Sequence, residues 1–71
     1  MKYTYKDLVE HITKETNFDT IIEIDGNRIV IENNRAYTRI YYNVLLNGKM
    51  IVTRCKRDNG IRLAVKALNE Q

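Results

Sequence analysis

The stretch that decides the fold is Ala36–Arg57, AYTRIYYNVLLNGKMIVTRCKR. Asn47-Gly48 lies between two alternating runs, and Asn-Gly is the strongest short signal for a β-hairpin because a type I′ turn needs positive φ at both central residues. The turn also predicts the register, since a slip by one residue would exchange the two faces of each strand. We therefore expect one long hairpin.

The predicted register gives this hairpin an apolar inner face and a polar outer face. The inner pairs are Leu46 with Lys49, Val44 with Ile51, Tyr42 with Thr53 and Ile40 with Cys55. The outer pairs are Leu45 with Met50, Asn43 with Val52, Tyr41 with Arg54 and Arg39 with Lys56.

The rest of the chain supplies two helices and two more strands. A capping box at Thr4–Asp7 precedes apolar residues at helical spacing, which predicts a helix over Thr4–Glu15. Asp25-Gly26 and Asn33-Asn34 predict turns that join strands at 18–24, 28–32 and 36 onward, with Ile31 opposite Ala36. A last helix is expected after a cap at Asp58 or Asn59, with an apolar stripe formed by Ile61, Ala64, Val65 and Leu68. The fold expected is a two-layer α+β domain, α-β-β-β-β-α, in which a four-stranded antiparallel meander packs both helices on one face.

Size and composition point to a single compact domain over residues 1–71. The chain has 71 residues, 44% hydrophobic and 30% charged, which is too apolar for a disordered chain and too short for two domains. One cysteine and one histidine cannot form an internal disulfide or a usual zinc site, so we expect no metal and no cofactor. No long apolar run or signal peptide is visible, so we expect no membrane contact and a cytoplasmic location.

Charge is unevenly distributed along the chain. Residues 1–35 carry five Lys or Arg and seven Asp or Glu, whereas residues 36–71 carry seven and two. The second half is therefore strongly basic, which is compatible with a polyanionic partner and equally with a solvated surface.

Arginine, lysine and tyrosine share the predicted outer face. The candidate nucleic-acid-binding residues are Arg28, Tyr37, Arg39, Tyr41, Arg54 and Lys56. Three of these, Arg28, Arg39 and Lys56, are predicted side by side across neighbouring strands, where like charges repel each other. Aromatic rings can stack on bases while cations meet phosphate, so this face favours nucleic acid, either DNA or RNA. The alternative is an ordinary outer face with Arg54 over Tyr41 as a cation–π pair.

The turn end of the same face predicts a second surface. Leu45, Met50 and Val52 are three adjacent apolar residues expected to point outward, which is typical of a contact with a partner protein or of a homodimer. Local burial by a curled hairpin is the alternative. Cys55 is expected inward as a small hydrophobic residue, and His11 is expected in solvent without a partner for catalysis.

The chain from Tyr42 onward, YNVLLNGKMIVTRCKRDNGIRLAVKALNEQ, is similar to the second half of a double-stranded RNA-binding domain. The shared features are a strand, an NGK turn, a strand and a helix that ends in AVKAL, and a leading helix also fits that α-β-β-β-α family. The resemblance implies an RNA-binding α+β architecture. The chain departs from the family at 58–62, where DNGIR replaces the family's clustered lysines, and in its additional predicted strand, so we use the resemblance as an architectural analogy.

These observations lead us to expect a small, non-enzymatic protein that binds nucleic acid or a nucleoprotein. The alternative is an accessory protein of a phage or mobile element that inhibits a host protein, for example a defence nuclease, by direct contact. Tyrosine and arginine serve protein interfaces as readily as they serve phosphate.

Overall fold

The structure, a computed structural model, describes residues 2–33 and 41–71. Its elements in chain order are α1 (Tyr5–Glu10), β1 (Ile12–Glu15), β2 (Asp19–Ile24), β3 (Asn27–Asn33), β4 (Tyr42–Leu46), β5 (Lys49–Cys55) and α2 (Arg57–Asn69). The strands form one antiparallel sheet in the order β1-β2-β3-β4-β5. The predicted α+β class is confirmed, but the predicted four strands are wrong because the sheet has five.

The extra strand comes from the second half of the predicted first helix. Thr4 caps α1 with the expected capping box, in which its side chain accepts from the Asp7 N–H and Asp7 accepts from the Thr4 N–H. The helix ends at Glu10, and Ile12 pairs with Ile22 at the sheet edge. Isoleucine and threonine are β-branched and favour a strand, and a free edge of β2 offers them a ladder of hydrogen bonds.

Two of the three predicted turns are confirmed. Asp25 and Gly26 have φ of 50° and 79°, and Asn47 and Gly48 have φ of 52° and 86°. Each turn has two residues between its strands. The residues that flank it pair with each other, Ile24 with Asn27 and Leu46 with Lys49. Local turn chemistry therefore determines both hairpins.

The predicted turn at Asn33-Asn34 is wrong. Asn33 is the last residue of β3 and pairs with Tyr42, and Ile31 pairs with Val44 instead of Ala36. The predicted strand residues 36–40 lie outside the described residues. Apolar and polar residues still alternate in β3 and β4, but β3 pairs with residues much further along the chain than predicted. A two-residue turn and a longer connection both satisfy this alternation, so the pattern alone does not choose between them.

Two bulges in β5 change the predicted pairing of the β4–β5 hairpin. Leu45 with Met50 and Leu46 with Lys49 are as predicted, but Val44 pairs with Val52 and Tyr42 pairs with Cys55. The register shifts on both sides of Val44, so β5 has one extra residue at each place. The predicted pairs of Val44 with Ile51, Tyr42 with Thr53 and Asn43 with Val52 are therefore wrong. A bulge adds an unpaired residue and bends the strand.

Both helices contribute to one hydrophobic core on a single face of the sheet. Its buried residues are Leu8, Ile22, Ile24, Ile29, Ile31, Val44, Leu46, Cys55, Ile61, Ala64 and Leu68. The inward positions of Cys55 and of the Ile61, Ala64 and Leu68 stripe are confirmed. Gly60 lets α2 approach the sheet closely, since a Cβ there would lie 3.0 Å from the Val44 Cγ2 and 3.1 Å from the Cys55 Sγ. Among the described helices, none is long and apolar enough to cross a membrane.

Candidate nucleic-acid interface

The predicted outer-face cluster is divided between the two ends of the sheet. Arg28 lies beside the Asn47-Gly48 turn, and its N–H donates to the Asn47 Oδ1 at 2.8 Å. Lys56 follows Cys55, which is level with Tyr42 and Asn33 at the other end. Five residues of β3 separate the two levels, a distance of roughly 16 Å. The prediction that Arg28 and Lys56 lie at one level of the sheet, on either side of Arg39, is therefore wrong, as a consequence of the β3–β4 register.

Three of the predicted residues do lie at one end of the β4–β5 hairpin. Tyr41 directly precedes β4 and is half-buried, while Arg54 and Lys56 are exposed at the end of β5. Arg54 has a φ of 56°, in the left-handed region, between Thr53 and the inward Cys55. Lys56 is the N-cap residue of α2 and has no side-chain cap bond. Tyr37 and Arg39 lie outside the described residues.

A further cation on α2 was missed by the sequence prediction. The guanidinium carbon of Arg62 lies 4.9 Å above the centre of the Tyr5 ring, and the Tyr5 hydroxyl donates to the Asp58 Oδ1 at 3.3 Å. Such a cation–π contact orients an exposed arginine without neutralising its charge. The helical spacing identifies Arg62 as exposed, but its aromatic partner is on α1, 57 residues away, so local pattern could not reveal it.

Charge is segregated between the two sides of the folded molecule. In residues 2–33, which form α1 and β1 to β3, four Lys or Arg face seven Asp or Glu. In residues 41–71, which form β4, β5 and α2, six Lys or Arg face two Asp or Glu. The strand order keeps β4 and β5 together, and α2 packs on β3, β4 and β5, while α1 packs on β2 and against α2. We call the β5 and α2 surface the basic side; its cations are Lys49, Arg54, Lys56, Arg57, Arg62 and Lys66.

The outer face of the sheet, opposite the helices, carries an apolar row and not a basic cluster. Ile21 pairs with Val30, Val30 with Leu45, and Leu45 with Met50, so four strands contribute neighbouring apolar side chains. We call these four residues the outer row. Met50 is 47% exposed, and the other three are half-buried. The outward-facing charges of β1 to β4 around it are of both signs: Lys14, Asp19, Glu23, Arg28 and Glu32.

The outer row therefore matches only part of the contact surface predicted from the sequence, which was Leu45, Met50 and Val52. Leu45 and Met50 share the outer face as predicted, but the predicted outward orientation of Val52 is wrong. Val52 is opposite the fully buried Val44 and packs against the core. The bulge at Ile51 is the physical cause, because one added residue turns the following side chain toward the other face.

A small cleft opens where α1 meets the β2–β3 turn. It measures about 180 Å³ and is lined by Lys2, Tyr3, Asp7, His11, Ile24 and Asp25. The Tyr3 hydroxyl donates to the Asp25 Oδ2 at 2.8 Å, and this hydrogen bond raises the pKa of the Tyr3 phenol above its usual value. His11 is exposed as predicted, with its Nδ1 2.7 Å from the Asp7 carbonyl oxygen. The cleft therefore lies between the amino-terminal residues, α1 and the β2–β3 turn.

Among residues 2–33 and 41–71, no three His, Cys, Asp or Glu side chains are grouped as they would be around a metal ion. Comparisons of the chain with protein-family models, with curated proteins and with solved structures find no match. The resemblance to double-stranded RNA-binding domains is therefore limited to the general α+β architecture.

Proposed function

We propose that this protein is a non-enzymatic nucleic-acid-binding protein that contacts phosphate through its basic side. The observation that supports the proposal most is the segregation of charge, because six cations against two carboxylates are collected on β4, β5 and α2. A one-sided positive field attracts and orients a polyanion, and each phosphate contact releases bound counterions.

The individual side chains of the basic side have different roles in this proposal. Arg54 and Lys56 are exposed where β5 ends and α2 begins, so they meet phosphate there. Arg62 and Lys66 continue the surface along α2, and Arg62 is oriented by Tyr5. Arg57 contributes little because it forms an ion pair with Glu15. Tyr41, at the same end of the hairpin, offers a ring for base stacking.

The outer face of the sheet has no such role in the proposal. Asp19, Glu23 and Glu32 point outward beside the outer row and would repel phosphate. The proposed interface therefore differs from the sequence-based expectation by moving from the outer sheet face to the basic side, while keeping Tyr41, Arg54 and Lys56.

Fluorescence anisotropy tests the proposal. The protein is titrated onto labelled single-stranded and double-stranded oligonucleotides of mixed sequence at a series of salt concentrations. Log K against log salt is expected to fall with a slope of about −0.7 per phosphate contact on single strands and about −0.9 on duplex. Lys56→Glu and Lys66→Glu should each weaken binding and reduce the slope by about one contact. Lys14→Glu makes the same charge change on the other side of the molecule, in β1, and should leave binding nearly unchanged.

The result that would contradict the proposal is the absence of binding to every oligonucleotide at low salt, or an equal loss of binding in the Lys14 control. Absence of binding would favour the alternative function, inhibition of a host protein by direct contact.

A further inference from the structure

The side of α2 that faces away from the sheet is polar and basic. Asn59, Arg62 and Lys66 are exposed, and their spacing along the chain places them on one side of the helix. Ala64 and Leu68, on the opposite side, are buried in the core. We call Asn59, Arg62 and Lys66 the exposed face of α2. It lies on the outer surface of the helical layer, where a partner can reach it.

The two carboxylates of α2 and its cap lie at the margins of this face. Asp58 accepts from the Tyr5 hydroxyl at 3.3 Å, so its carboxylate is directed toward α1. Glu70 is the C-cap residue, beyond the last turn of the helix. The segment from Asn59 to Lys66 contains no Asp or Glu. The middle of the exposed face therefore presents only positive and neutral groups to a polyanion.

The side chains of the exposed face are of the types that read base edges. Asparagine forms two hydrogen bonds with adenine, and arginine forms two with guanine, in the major groove of DNA. The Arg62 guanidinium carbon lies 4.9 Å from the centre of the Tyr5 ring, which restricts its position and leaves its charge in place. Leu63 borders the face and is only half-buried, so it can contact a thymine methyl group.

The basic side has few aromatic rings for binding single strands. Its two elements, β5 and α2, contain no Phe, Tyr or Trp. Tyr5, the ring next to α2, lies under Arg62, and Tyr41, at the end of the hairpin, is half-buried. Proteins bind single-stranded nucleic acid by stacking successive bases on rings. Cations without a series of rings therefore favour a double-stranded partner, whose bases remain stacked on each other.

We infer that the exposed face of α2 enters the major groove of B-form DNA. The major groove is about 12 Å wide and admits an α-helix. Asn59 and Lys66 are roughly 10 Å apart along the helix axis, which matches about three base pairs. The major groove of A-form RNA is too narrow for side chains to read, so duplex RNA does not fit this mode. The inference rests on the proposed function and specifies the form of the nucleic acid and the face that reads it.

The position of each side chain on α2 gives it a role in this arrangement. Asn59 and Arg62 are in the first two turns, and the amino-terminal part of a recognition helix is the part that contacts base edges. Lys56 lies at the start of the helix and Lys66 in its last turn, so they contact phosphates on the two sides of the groove. Phosphate contacts supply affinity, and base contacts supply sequence preference.

Fluorescence anisotropy with one sequence in three forms tests the form of the partner. The DNA duplex should bind at least about tenfold more tightly than the RNA duplex or the DNA single strand. A DNA duplex with bulky substituents at C5 of its pyrimidines has a filled major groove and should lose binding by a similar factor. Netropsin, which occupies the minor groove, should leave binding nearly unchanged.

Substitutions on α2 test the roles of its residues. Selection from a randomised DNA duplex library gives the preferred sequence. Asn59→Ala and Arg62→Lys should each reduce the preference for that sequence by roughly fivefold to a hundredfold while keeping the salt slope, because neither removes a charge. Lys66→Ala should instead keep the preference and reduce the slope by about one contact. Asn17→Ala makes the same change as Asn59→Ala at an exposed position between β1 and β2 and should alter neither property.

Circular dichroism should show that all variants are folded. The inference is overturned if the RNA duplex or the single strand binds as tightly as the DNA duplex, or if netropsin displaces the protein. It is also overturned if selection gives no preferred sequence, or if Asn59→Ala and Arg62→Lys leave the preference unchanged. These results would leave the proposed function standing, since the protein would still bind nucleic acid. Absence of binding to every oligonucleotide at low salt would overturn both.

Discussion

Arg57, the first residue of α2, forms an ion pair with Glu15, the last residue of β1. The Arg57 Nε also donates to the Thr20 Oγ1 at 3.2 Å, and Thr20 is 2% exposed. One side chain therefore connects the second helix with the first two strands. This contact fixes the short edge strand β1, which the sequence pattern placed in a helix.

The Glu15 ion pair and the Thr20 hydrogen bond of Arg57 should differ in their effect on stability. Glu15→Gln removes a half-exposed ion pair, which is worth less than about 1 kcal/mol. Arg57→Ala also removes the donor to the buried Thr20 hydroxyl and should lower the free energy of unfolding by about 1–2 kcal/mol. Urea denaturation of both variants measures the difference. Equal losses would show that the Thr20 hydrogen bond contributes nothing.

Gly60→Ala should destabilise the protein although alanine is the better helix former. The added Cβ would lie 3.0 Å from the Val44 Cγ2 and 3.1 Å from the Cys55 Sγ, closer than ordinary contact. Overpacking of this kind costs about 1–3 kcal/mol, which exceeds the gain of about 1 kcal/mol in helix propensity. Asn59→Ala, on the exposed side of α2, is the control and should be neutral or stabilising. A Gly60→Ala variant that melts at a higher temperature would contradict the close packing of α2.

Two substitutions at Arg54 remove the same charge but differ in backbone cost. Arg54 has a φ of 56°, which an L-residue adopts at a cost of about 1 kcal/mol and glycine adopts freely. Arg54→Gly should therefore be more stable than Arg54→Ala by about 1 kcal/mol in chemical denaturation. Both should weaken oligonucleotide binding equally, since both lack the guanidinium. If alanine is as stable as glycine, the second bulge of β5 is not formed in solution.

Cys55 should make stability fall at alkaline pH. Burial raises the pKa of the Cys55 thiol. A pKa that is higher in the folded than in the unfolded state stabilises the fold below the ordinary thiol range, and this contribution is lost as pH rises through the folded value. The natural sequence should therefore lose more stability than Cys55→Ala between neutral and strongly alkaline pH, as measured by denaturation at each pH.

Thiol reactivity provides an independent check on the same residue. In the folded protein Cys55 is 6% exposed and its Sγ donates to the Tyr42 carbonyl oxygen at 3.4 Å. Reaction with a thiol reagent at mildly alkaline pH should be slow and should accelerate on addition of denaturant. Fast reaction of the native protein would place Cys55 on the surface and contradict the Tyr42–Cys55 pairing.

The features that the sequence predicts correctly are those determined within a few residues. The Thr4 capping box depends on local hydrogen bonds, and the Asp25-Gly26 and Asn47-Gly48 turns depend on residues that adopt positive φ. The buried stripe of α2 follows from the helical spacing of its apolar residues. The candidate site follows the same rule, since the basic character of residues 41–71 is visible in composition, but the arrangement of its cations is not.

The features that only the tertiary structure decides are those that depend on pairing between distant segments. The pattern of Ile12 to Glu15 fits a helix, and the free edge of β2 converts it into a strand. Val52 alternates as an outer residue, and a bulge turns it inward. Arg28 and Lys56 are separated because Ile31 pairs with Val44 across a longer connection. Side-chain alternation has a period of two, so many registers satisfy it, and the choice among them depends on how the whole core packs.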